Sequence, residues 1–182
     1  MTSTTAPSTT AGAPDQRAIY WPVVGLAALA GMRSAGAPTL LSHYLVRHPA
    51  PALATSPLRL LGQPAVALAL TLAAAKEFKH DKNPSAAPRT APRGLSLRTL
   101  GGALVGATWL KANGQSARRG ALLGGLGAAA ATFLWFRLRK SITEESGLPP
   151  NVVGLAEDGL LWGAGAVLLH YLPRPVAPAA VG

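Results

Sequence analysis

The chain has 182 residues and a formal net charge of +10, from 17 Lys and Arg against seven Asp and Glu. Hydrophobic residues make up 49% of it and charged residues only 13%, whereas soluble domains carry roughly 25% charged residues. The basic residues lie between apolar segments and no base-reading module is recognisable, so we expect no nucleic-acid partner. The absence of Cys excludes disulfides, thiol nucleophiles and Cys-ligated metals.

Three regions differ in composition. Residues 1–17 form a low-complexity tail of mainly Thr, Ser, Ala and Pro, which we predict to be disordered because it has little apolar surface to bury. Residues 18–172 are predicted to form one helical membrane domain, followed by a short C-terminal tail at 173–182. The five apolar segments of that domain cover about 19–44, 60–78, 97–110, 119–136 and 152–171.

These segments predict an all-α, polytopic membrane protein with four or five transmembrane helices. A full span needs about 20 residues, and the second and fourth segments reach this once flanking Lys and Arg extend to the interface. The stretch from Gly120 to Phe136 is apolar on all sides, and a small soluble protein has no core deep enough to hide it. Core helices of a soluble protein are the alternative.

The third segment is the exception, because only 12 uncharged residues separate Arg98 from Lys111. It is expected either to span a thinned bilayer or to form a re-entrant hairpin. Its short uncharged run also predicts weak burial and low stability.

The distribution of Lys and Arg predicts the orientation of the chain. With five spans and a cytoplasmic amino terminus, ten of them lie inside, six lie outside and Arg33 lies within the first segment. This favours a multi-pass protein with a cytoplasmic amino terminus and its carboxyl terminus outside. The excess of Arg over Lys and the abundance of Ala suggest a GC-rich bacterial genome, so the bacterial cytoplasmic membrane is the expected location. The lipid bilayer is then the main partner, and the basic loop at 76–98 is expected to bind anionic lipid headgroups.

Charges at membrane depth define the first part of a candidate site. Arg33 lies about 14 residues into its segment, too deep to reach the interface easily. Ser34 beside it, with Gly36 and Pro38, is expected to open the helix and free backbone carbonyls. A buried Arg needs a carboxylate or such carbonyls, and the acidic pair Glu157 and Asp158 of the fifth segment supplies the natural partner.

A second acidic pair ends the second segment. Glu77 and Asp81 are four residues apart and so share one helix face, with Lys82 following. One interpretation is an interfacial cap solvated by lipid headgroups. The other is a pair of carboxylates at the mouth of an ion or proton path.

Small residues recur at four-residue spacing, which lets helix backbones approach closely in lipid. Tight packing within the chain is the favoured interpretation, and association between copies is the alternative. The motif around Arg33 also resembles the one around Arg119, which suggests a faint inverted repeat of the kind that underlies many transporters. The glycine pairs are Gly102 with Gly106, Gly120 with Gly124, and Gly159 with Gly163.

No nucleophile elbow, metal-spaced His pair or phosphate-binding loop is present in the sequence, so we expect no enzyme activity, no cofactor and no metal. The ordered motifs nevertheless resemble the bacterial integral-membrane family filed as domain of unknown function 4126. The resemblance covers about residues 20–172 and implies a helical membrane protein without a settled activity. It rests on GMRSAGAP (31–38), EFKHDKNP (77–84), PRTAPRG (88–94), GGALVGA (101–107), ARRGALLGGLGA (117–128) and AEDGLL (156–161).

The leading functional hypothesis is a transporter or channel-like protein for a small solute or ion, with a polar intramembrane centre. The alternative is a non-transporting membrane scaffold or lipid-binding protein that uses its basic cytoplasmic loop.

Overall fold

The structure, a computed structural model, describes residues 16–80 and 92–175. Within these residues the chain is helical and contains no strand, so the all-α prediction is confirmed. Two 3₁₀ turns, Pro51–Leu53 and Pro57–Gly62, connect the second helix to the third. The α-helices are α1 (Gln16–Met32), α2 (Gly36–Arg47), α3 (Pro64–His80), α4 (Pro92–Ala112), α5 (Ala117–Ser146) and α6 (Pro150–Tyr171).

The first helix begins at Gln16, two residues before the predicted start of the membrane domain. The rest of the predicted amino-terminal tail, residues 1–15, lies outside the described part of the chain, as do residues 176–182 of the predicted carboxyl-terminal tail.

The first apolar segment forms two helices that are separated at residues 33–35. Pro38 is compatible with a helix start at this point, because proline has no backbone N–H and is tolerated in the first turn of a helix. Proline alone does not require the break, since α1 continues through Pro22 in its interior. Gly36 adds a packing reason, because a Cβ at this position would lie 3.0 Å from the Leu161 side chain on α6. The sequence-based expectation of an opened helix at this point is confirmed.

The centre of the fold is made by α1, α4 and α5, which pack closely on one another. Two of the predicted glycine pairs form the α4–α5 contact. A Cβ on Gly106 would collide with the Gly120 carbonyl oxygen, and one on Gly102 would collide with that of Gly124. These pairs therefore pack within the chain, as the favoured interpretation predicted. The third pair, on α6, has open space around it, since a Cβ at Gly159 would meet no described atom within 4 Å.

The third segment is more buried and longer than its sequence predicted. Helix α4 is continuous over 21 residues, about 31 Å at 1.5 Å per residue, so it is not a re-entrant hairpin. Val105, Trp109 and Leu110 are fully buried, and the Trp109 indole N–H donates to the Ile19 carbonyl at 2.9 Å. The expectation of weak burial was wrong, because glycines bring this helix into the core.

Two of the described helices, over Ala117–Ser146 and Val152–Tyr171, are long and apolar enough to cross a membrane. Only 22% of each apolar window is buried inside the fold, unlike the core helix of a soluble protein. Helices α1, α2 and α3 have 17, 12 and 17 residues, so α1 and α3 are at the short limit of a span and α2 is below it. The structure thus identifies two membrane-competent helices where the sequence predicted four or five spans.

Candidate functional site

The break between α1 and α2 holds a buried ion pair. The Arg33 guanidinium donates from Nε to the Asp158 Oδ1 at 2.6 Å, and its Nη2 lies 2.5 Å from the same oxygen. The two side chains are only 6% and 8% exposed. The expected pairing of Arg33 with the acidic pair of the last segment is therefore present, and Asp158 is the partner.

Glu77 occupies the other side of the same break. Its two carboxylate oxygens accept hydrogen bonds from the backbone N–H groups of Ser34 and Ala35, both at 3.0 Å. Ala35 is the residue that precedes the first turn of α2, and its side chain cannot cap a helix. The carboxylate from α3 therefore supplies the acceptor that the local sequence lacks, at the positive end of the α2 dipole.

The two acidic residues of α6 face different helices. Adjacent residues on a helix project about 100° apart, so Asp158 faces the break while Glu157 faces α5. There Glu157 accepts from the Arg139 guanidinium, with Nη1 and Oε2 at 3.3 Å. The Glu157 side chain is almost fully buried and that of Arg139 is partly exposed. Glu157 thus belongs to a second ion pair, with Arg139 on α5.

Hydrogen bonds from α5 fix the last turns of α1 in front of the break. The Thr132 hydroxyl donates to the Gly31 carbonyl at 3.3 Å, and the Trp135 indole N–H donates to the Ala28 carbonyl at 3.2 Å. A Cβ on Gly31 would also lie 2.9 Å from the Thr132 backbone nitrogen, so the helices are in close contact here. The end of α1 that precedes Arg33 is consequently held against α5.

Arg98 is a buried cation that the sequence analysis placed in a loop. Its side chain is 5% exposed. It lies one turn before Gly101 on the same face of α4, and a Cβ on Gly101 would lie 2.6 Å from the Ser34 carbonyl oxygen. Arg98 therefore faces the side of α4 that packs on the break. The glycines one turn later were the signal that this face is buried.

The remaining predicted site residues lie elsewhere. Arg119 is exposed in the first turn of α5, where its backbone N–H approaches the Ser116 hydroxyl at 3.5 Å. Asp81 and Lys82 lie outside the described residues, as do the other residues of 81–91 in the basic loop at 76–98. We use the term polar centre for Arg33, Glu77, Asp158 and the N–H groups of Ser34 and Ala35.

An apolar cavity of about 200 Å³ lies apart from the polar centre, between the second half of α5 and the first half of α6. Its lining residues include Trp135, Ile142, Val153 and Leu160, and the Arg139–Glu157 pair is at its edge.

Across residues 16–80 and 92–175, His, Asp and Glu form no group that could hold a metal ion.

At the polar centre, two anionic side chains each accept hydrogen bonds from groups at the helix break. Asp158 accepts from Arg33, and Glu77 accepts from the backbone N–H groups of Ser34 and Ala35. No protein-family model matches this chain, and no match was found among curated proteins or among solved structures.

Proposed function

We propose that this chain is an integral membrane protein that moves a small solute or ion past its polar centre. The observation that carries the proposal is a helix that is interrupted at a buried ion pair, with a carboxylate bound to the freed backbone N–H groups. Transporters commonly place their binding sites at discontinuous helices, where the dipole of a half-helix meets a charged group. Charges inside a membrane are costly, and they mark substrate or ion pathways in many membrane proteins.

The proposed membrane arrangement has five crossings. Helices α5 and α6 each cross on their own, because their windows have the length and hydropathy of a span. We propose that α1 and α2 together form one broken crossing, and that α3 and α4 form the other two. The amino terminus is then cytoplasmic and the carboxyl terminus outside. The bacterial origin and the membership in the family filed as domain of unknown function 4126 are part of the same proposal.

The Arg33–Asp158 pair makes this proposal testable. Purified protein is reconstituted into vesicles, and the flux of H⁺, Na⁺, K⁺ and Cl⁻ is followed with entrapped indicators. Uptake of mixed labelled small metabolites is measured in parallel. We expect a flux above that of empty vesicles with the wild-type chain, and its loss in Asp158→Asn, which removes the anion while keeping the shape.

Glu144→Gln is the matched control for this experiment. Glu144 is an exposed carboxylate that pairs with Lys140 at 3.8 Å, one turn earlier on α5 and away from the polar centre. Its substitution removes the same charge and should leave the flux unchanged. Equal flux in wild-type, Asp158→Asn and empty vesicles, with folded protein in each case, would contradict the proposal.

A further inference from the structure

Helix α3 is attached to fewer elements than any other long helix of the described fold. Among the described residues it contacts α2 and the 3₁₀ turn Pro57–Gly62, and does not contact α1, α4, α5 or α6. Its buried residues are the small Ala67 and Ala74, and Val66 and Leu70 are partly buried where they pack against the core. Leu68 and Leu72 on its outer face are 60% and 63% exposed. Packing contacts hold helices together in a membrane, and those of α3 reach only two elements, so its apolar attachment is limited.

Polar contacts hold the inner face of α3 in place. Thr71 on this face shares a hydrogen bond with the His43 ring on α2, with Nε2 and Oγ1 2.9 Å apart. Glu77 follows Ala74 by three residues and so continues the same face. It makes the two hydrogen bonds to Ser34 and Ala35, and these are charge-assisted, which makes them stronger than neutral ones.

The other helices around the polar centre have no comparable freedom. Helices α4 and α5 are in close backbone contact at their glycines, where even a Cβ would not fit between them. Helix α6 is tied to the break by Asp158, and α1 is tied to α5 by Thr132. Among the described residues, movement of α3 would therefore disturb contacts with the fewest elements, and it would uncover the N–H groups next to Arg33.

We propose that α3 is a movable gate and that Glu77 is its latch. The described structure is the closed form, in which the Glu77 carboxylate occupies the N–H groups of Ser34 and Ala35. In the open form α3 leaves α2, and these two N–H groups become accessible beside Arg33. This inference rests on the proposed function for its purpose, but the movement of α3 is measurable without any transport assay.

Distance measurements between spin labels test the gate directly. The chain contains no Cys, so pairs of labelled cysteines can be introduced without first replacing native cysteines. One pair joins α3 to α5 at Leu72 and Leu126, and the reference pair joins α1 to α5 at Val24 and Leu126, all of which are exposed. Double electron–electron resonance is recorded in nanodiscs for the wild-type chain, Glu77→Gln and the control Glu144→Gln.

The latch predicts a second, longer distance for the α3–α5 pair. The ratio of displaced to docked α3 should rise about tenfold in Glu77→Gln, equal to 1.4 kcal/mol. The reference pair and the Glu144→Gln control should keep the wild-type distances. An unchanged α3–α5 distance in Glu77→Gln would overturn the latch. Equal broadening of the distance distributions of both label pairs would also overturn it, because Glu77 would then stabilise the whole fold and not the position of α3 alone.

Two further comparisons keep the result decisive. If Glu77→Gln does not fold, Glu77→Asp replaces it, since the shorter carboxylate keeps the charge but cannot reach both N–H groups in the same position. Displacement of α3 without solute flux in any variant would contradict the proposed function and leave the gate standing. Flux in the wild-type chain with a fixed α3 would contradict the gate alone.

Discussion

Removal of Arg33 should leave Asp158 as an uncompensated buried charge. Both side chains are more than nine-tenths buried, and the two guanidinium nitrogens share one carboxylate oxygen. Breaking such a pair by removing one partner typically costs about 3 to 5 kcal/mol. A small protein has about 5 to 15 kcal/mol of total stability. Arg33→Ala should therefore lower the free energy of unfolding by a large fraction of its wild-type value.

A double-mutant cycle separates this pairing from the loss of packing. Asp158→Ala combined with Arg33→Ala removes the orphaned carboxylate and should restore part of the stability. Coupling energies between residues in contact run from about 0.5 to 3 kcal/mol, and a buried pair belongs near the upper end. Unfolding is followed by denaturant titration of detergent-solubilised protein, with helicity as the signal.

Glu157→Ala provides the matched comparison, since the same type of carboxylate is removed one residue away. Glu157 pairs with Arg139 and faces α5, so its removal should give additive losses with Arg33→Ala. If Asp158→Ala also gives strictly additive losses, Arg33 is not stabilised by Asp158 and the description of the polar centre is wrong. If Glu157→Ala instead restores stability, the rotation of α6 is wrong.

Two other predictions concern packing and topology. Gly106→Ala should destabilise the fold by about 1 to 3 kcal/mol, because the new Cβ collides with the Gly120 carbonyl oxygen. The control Gly159→Ala should not destabilise the fold, because there is open space around this position. Equal losses of stability in thermal unfolding of the two variants would contradict the close α4–α5 contact. In intact cells, Thr55→Cys should react with an impermeant thiol reagent, because the proposed topology places it outside. Ser146→Cys should react only after permeabilisation, because the same topology places it in the cytoplasm. The reverse pattern would contradict the cytoplasmic amino terminus.

The helical content and the break in the first segment could be predicted because both follow from local chemistry. Apolar segments of this length favour helices, and the combination of Ser34, Gly36 and Pro38 favours an interruption beside Arg33. The ion pair of Arg33 could be predicted because a buried cation requires an anion, and the sequence offers few. Which of Glu157 and Asp158 pairs with Arg33 could not be predicted, since this depends on how α6 is rotated against its neighbours.

The role of Glu77 and the depth of α4 depended on tertiary placement. Glu77 reaches the N–H groups of residues more than 40 positions away, so spacing along its own helix gives no indication of them. The sequence analysis placed Arg98 at the polar end of a short apolar segment, because a hydropathy pattern ends a segment at each charged residue. The glycines at 101 and 102 carried the opposite information, that this face of the helix meets another backbone.

Reversible cross-linking of α3 in flux-active vesicles tests the central claim most directly. His43→Cys and Thr71→Cys place one thiol on each side of the α2–α3 contact, where the native side chains lie within hydrogen-bond distance. A short bis-methanethiosulfonate, which forms a disulfide with each thiol and releases methanesulfinate, then fixes the gate. Both single-Cys variants treated in the same way serve as controls. The account predicts that solute flux stops on cross-linking and returns on reduction, in the double variant alone. Undiminished flux with α3 fully cross-linked to α2 would contradict it.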